Sequence, residues 1–132
     1  MATKFIQEGR FLGVTESLLV HPTRTSGLVA SDDPVLVGRF VGVAQISAAA
    51  TTDKISIDTK GVYKLSVSSI HNGVNFGETV YIDAVAATLS DDFTDVPFGI
   101  CVDETGITGG GSGSILVRLF GDATPGAVGY GS

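Results

Sequence analysis

The sequence predicts an all-β fold, a compact small β-barrel or sandwich of about seven or eight short strands with an extended N-terminal arm. Three observations carry this. Val and Thr are abundant, while 18 glycines and 4 prolines punctuate the 132 residues. Apolar and polar residues alternate with a period of two, and no stretch sustains a period near 3.6. The alternating runs are separated by clusters of Gly, Asp, Asn and Ser, which are turn residues.

In chain order, residues 1–12 mix apolar and polar types without a helical stripe and read as an extended arm or an edge strand. Thr15 to Val20 has helical composition for barely one turn before His21-Pro22 closes it, so it is expected to be extended or irregular. Asp32-Asp33-Pro34 is a turn in which carboxylates cap local amides and Pro fixes the entry to a strand. Val35 to Val37 then leads to Gly38-Arg39, where Gly suits the first central position of a type II′ hairpin turn. Phe40 to Ile46 is the returning strand, with Gly42 permitting a bulge or a close approach.

Further on, Ile55 and Ile57 alternate with Lys54, Ser56 and Asp58, and Tyr63, Leu65 and Val67 alternate with Val62, Lys64 and Ser66. Lys60-Gly61 supplies the turn between those runs. Thr79 to Val85, Phe98 to Val102 and Ser114 to Phe120 complete the strands. In the last, Ile115, Val117 and Leu119 share one face and Arg118 the other. Residues 71–78, 89–97 and 104–113 read as turn-rich connections, with Gly109 to Gly113 a flexible loop or hairpin tip. Residues 13–120 thus read as a single β domain, and 121–132 as a flexible tail.

Composition narrows the function classes. Eight basic against 14 acidic residues give a formal net charge of −6. Nucleic acids and anionic membranes are bound through clustered Lys and Arg, so neither is an expected partner. No run approaches the ~18 apolar residues of a membrane span, and no secretory signal is visible. A single cysteine cannot close an internal disulfide, which fits folding in a reducing cytoplasm.

Candidate chemistry gives way to simpler readings. His21 and His71 are the only histidines and read as loop residues, and no G-x-S-x-G elbow accompanies them. Cys101 lies in the apolar run Phe98-Gly99-Ile100-Cys101-Val102 and reads as buried and structural. The carboxylates at Asp32-Asp33, at Asp91-Asp92 with Asp95, and at Asp103-Glu104 lack the spacing of a calcium loop. One Cys and two separated His make no zinc ligand set. The glycines at 109–113 are followed by no Lys-Ser or Lys-Thr pair, so there is no P-loop. The expectation is a protein without catalytic role, metal or cofactor, acting through its surface and its strand edges.

Several segments occur in a telling order: Met1 to Gly9, Asp33 to Gly38 with Gly42-Val43-Ala44, Thr59 to Tyr63, Gly77 to Tyr81, Phe98 to Val102, and Ile115 to Leu119. This ordered set resembles the capsid decoration, or cement, proteins of tailed phages. The recombinase label carried by some members of that family is contradicted here by the missing P-loop. The resemblance implies a structural virion protein, made in the host cytoplasm, that binds the exterior of the expanded capsid. It would cement adjacent major capsid protein subunits against the pressure of packaged DNA. It also implies self-association, as a homotrimer or alternatively a dimer. The arm Thr3, Lys4, Phe5, Ile6, Gln7 and Glu8 is the expected capsid contact, adding to a capsid strand with Phe5 and Ile6 as anchors. Its alternative is a first strand of the domain's own barrel. A tail- or fibre-associated receptor-binding module is the rival function.

Overall fold

The computed structural model describes residues 10–22, 27–68 and 73–121. Among them the fold is all-β, with strands β1 (Phe11–Thr15), β2 (Pro34–Val37), β3 (Phe40–Ala44), β4 (Lys54–Asp58), β5 (Val62–Ser68) and β6 (Gly73–Val74). These are followed by β7 (Thr79–Ile82), β8 (Leu89–Ser90), β9 (Val96–Cys101), β10 (Ile107–Thr108) and β11 (Ser112–Leu119). They form an open four-stranded sheet in the order β1-β4-β3-β2, a closed barrel in the order β11-β5-β8-β7-β9, and a ribbon of β10 with β6. Barrel and sheet therefore coexist in one chain.

The alternating runs become strands with the predicted faces. On β11, Ile115, Val117 and Leu119 are buried and Arg118 is exposed. On β5, Leu65 and Val67 point inward between exposed Lys64, Ser66 and Ser68. The β2–β3 hairpin closes over Gly38-Arg39, with Val37 paired to Phe40. Gly38 takes φ +57° and Arg39 stays at negative φ, the sign pattern of the II′ turn. Gly42 is a close approach, because a Cβ there would stand 2.5 Å from the Asp58 carbonyl oxygen and 2.7 Å from Ile57 Cγ2.

Other elements differ from the sequence reading. Glu16–Leu18 forms one 3₁₀ turn, with the Leu19 amide donating to the Glu16 carbonyl at 3.0 Å. β9 begins two residues before Phe98, because Pro97 sits where the β7–β9 register shifts and no ladder donor is needed. The glycines at 109–113 do not tip a hairpin: β10 pairs with β6 and β11 with β5 and β9, Gly109 to Gly111 turn the chain between them, and Gly113 lies in β11 opposite Val67.

Apolar side chains form two cores. The larger fills the barrel around Phe98, Val117, Val80, Ile82 and Val67, and reaches the inner face of the sheet at Leu36, Val41 and Val43. The smaller lies on the sheet's other face, among Leu19, Val29, Val35, Ala44, Ile55 and Ile57. β2 and β3 thus have apolar partners on both faces, which explains their near-continuous hydrophobic sequence.

Candidate functional site

The arm Thr3 to Glu8 lies outside the described residues, as do His71 and residues 122–132 of the tail. The described chain begins at Arg10, and its anchorage is specific. Arg10 Nε and Nη2 donate to the two carboxylate oxygens of Asp58 at 2.9 and 3.0 Å, a bidentate pair. The guanidinium also lies 5.0 Å from the centre of the Phe11 ring. The Tyr63 hydroxyl donates to Asp58 Oδ2, and Gln45 Nε2 donates to the Tyr63 oxygen at 3.1 Å. The Lys60 amide completes the shell on Asp58 Oδ1 at 3.1 Å.

Asp58 is fully buried. Burial by itself would raise its carboxyl, but hydrogen bonds from Arg10, Tyr63 and the Lys60 amide, with the charge of Arg10, hold it below the usual carboxylate range. Burial and the bond to Asp58 push the Tyr63 phenol up. The alternation of β4 puts Asp58 on a polar face. What covers that face is Arg10, 48 positions away, and no local signal reveals it.

A further contact, buried on both sides, was also missed. His21 Nε2 lies 2.9 Å from Glu16 Oε2, and the same oxygen accepts the Val29 amide at 3.0 Å. His21 is therefore no ordinary loop residue. It ties the 3₁₀ turn to the segment ahead of β2, and the one available hint was an acid five positions before it. Cys101 is buried as expected. Among the described residues, no group of three or more His, Cys, Asp or Glu side chains comes together to hold a metal ion. The predicted acidic turns cap backbone amides instead: Asp33 that of Ala30, Asp92 that of Thr94, and Asp103 those of Thr105 and Leu116.

The outer surface carries large apolar side chains on rigid strands. Across the β5–β11 ladder Val62 stands opposite Arg118 and Lys64 opposite Leu116, so two apolar and two basic side chains share the outward face. Phe76, Val85 and Phe93 are exposed on connections around β7 and β8.

The family model described as phage cement protein matches residues 14–119, from within β1 to the last residue of β11. The chain belongs to the phage cement protein family. Neither the curated proteins nor the solved structures that were searched gave a match. Membership makes this a capsid-associated structural protein of phages. The cement-family match takes in the barrel, the ribbon and all of the sheet but the first three residues of β1, and it includes Glu16, His21 and Asp58 but not Arg10.

Proposed function

We propose that this chain, made in the host cytoplasm, binds the exterior of the expanded phage head and bridges adjacent major capsid protein subunits without catalysing a reaction. The observation that carries the reading is the cement-family match over residues 14–119, most of the described body. Two physical features support it. Outward Val62 and Leu116 give the barrel wall apolar area for protein contact. The net charge of −6 disfavours attachment to packaged DNA.

The mechanism is linkage. A ligand that binds the expanded lattice and not the compact one stabilises the former, by about 2.7 kcal/mol per site at a free concentration of 100 times Kd. Repetition over the shell and self-association as a trimer multiply this through avidity. In the decisive experiment, purified protein is sedimented with expanded heads and with compact procapsids. Cosedimentation with expanded heads alone is expected, and those heads should then retain DNA to higher temperature. Equal binding to both forms would refute lattice selectivity, and recovery on tails would favour the receptor-binding alternative. Analytical ultracentrifugation of the free protein separates trimer from dimer.

A further inference from the structure

β5 and β11 pair over seven positions, from Ser68 opposite Ser112 to Val62 opposite Arg118, about 24 Å of ladder. Leu65 and Val67 on one strand and Ile115 and Val117 on the other are buried in the barrel core, so the even-numbered side chains form its outer wall. The half of that wall near Ser68 carries four serines. In the other half Lys64 stands opposite Leu116 and Val62 opposite Arg118. These side chains are exposed, Val62 at 51% and Leu116 at 39%. The wall continues onto β9, where half-buried Ile100 is paired with Arg118.

The charge of this wall runs against that of the chain. There are 14 acidic and 8 basic residues in all, yet neither β5 nor β11 contains an acid. Among the described residues neither Lys64 nor Arg118 belongs to a salt bridge. Asp103 reaches the rim of the wall, but its two oxygens accept the Thr105 and Leu116 amides, at 3.0 and 3.2 Å. Carboxylates gather on the far side instead. The barrel order sets β7 across from the β5–β11 pair. There Glu78 and Asp91 line a hollow with Thr79 and Tyr81 of β7. Burial, then the charges of Asp83 and Asp92, push the Asp95 carboxyl up nearby. The barrel therefore has a cationic wall and an anionic one.

We propose that the β5–β11 wall is the face laid against the shell, and that it receives there an extended acidic segment of the major capsid protein. The inference rests on the capsid reading above and adds to it the chemistry of the contact. Lys64 and Arg118 stand diagonally across the ladder, about 7–8 Å apart. Residues i and i+2 of an extended strand are spaced by about 7 Å, so carboxylates two residues apart on the partner meet both cations. Val62, Leu116 and Ile100 keep water from those charges once the partner is seated, which strengthens the attraction. The serine half is small and uncharged and lets a partner backbone come close. A two-fold pairing of this wall with a second copy is disfavoured, because it sets Lys64 and Arg118 against cations.

The test is cosedimentation with expanded heads of the wild type, of Lys64→Glu/Arg118→Glu, and of Arg39→Glu/Lys54→Glu. The last makes the same change in net charge at exposed positions away from the wall, in the β2–β3 turn and at the start of β4. The wall variant is expected to bind at least about 10-fold more weakly than wild type, and the control within about 3-fold of it. Wild-type binding is expected to weaken as salt rises. Equal binding by wall variant and wild type would overturn the proposal, as would binding indifferent to salt. So would equal losses in both variants, which would mean that total charge alone governs. Head binding retained while the wall variant loses self-association, read by analytical ultracentrifugation, would overturn it too and give the wall to a second copy of the chain. Circular dichroism and thermal unfolding check that each variant is folded. Should charge reversal unfold the chain, Lys64→Gln/Arg118→Gln decides in its place, with a smaller loss in the same direction. Failure of the wild type itself to bind heads brings down the capsid reading and this proposal together, whereas a wall variant that binds like wild type brings down this proposal alone.

Discussion

The barrel and the open sheet are stabilised by different physics. The barrel interior is apolar throughout, built on Phe98, Val117, Val80, Ile82 and Val67. The four buried polar residues among those described, Glu16, His21, Asp58 and Thr59, all belong to the open sheet's end of β4 and to the 3₁₀ turn with its flanks, and none to the barrel strands. There a buried carboxylate, Asp58, ties the start of β1 to the end of β4 through Arg10, and Glu16 joins His21 to the Val29 amide. Packing should govern the barrel, and protonation should reach the sheet first.

The largest expected effect tests the barrel. Phe98→Ala removes a fully buried ring and should cost about 3–5 kcal/mol, read from denaturant unfolding; a loss below 1 kcal/mol would mean the barrel is loosely packed. Next comes the sheet's clamp. Asp58→Ala strips Arg10, Tyr63 and the Lys60 amide of their acceptor and should cost about 2–3 kcal/mol. The folded carboxyl titrates below its unfolded value, so its contribution is complete above about pH 4 and is lost as pH falls through the folded value. Asp58→Asn should therefore flatten the acid limb of the stability curve. Some slope will remain from Asp83 and Asp103, whose carboxyls backbone amides also hold low. The smallest effect is that of Glu16→Gln, which keeps an oxygen for the Val29 amide while replacing the carboxyl group that faces His21 with an amide, at about 1 kcal/mol. If it matches Asp58→Ala, the contrast between the two carboxylates collapses.

Much of this fold was legible because β5, β11 and the β2–β3 hairpin obey local rules. Period-two alternation set their faces, and Gly38 set its turn. β6, β8 and β10 were hidden because two residues are too few to display a period. Pro97 concealed the start of β9, since tolerance of a proline depends on a register shift opposite Tyr81. The buried clamps were illegible for another reason. Asp58 needs Arg10 and Glu16 needs His21 and Val29, pairings that tertiary structure makes and composition does not record. The family itself was legible in the order of short motifs, each of them weak alone.

Thr59 is flanked by Arg10 on one side and Gly121 on the other. The first and last described residues thus lie roughly two strand spacings apart, about 10 Å. A short linker could join them without bending the sheet, so the described body could be reopened at Gly109 to Gly111, between β10 and β11, as a circular permutant. At Arg10 and at Gly121 the described body therefore presents its two limits at the same pole.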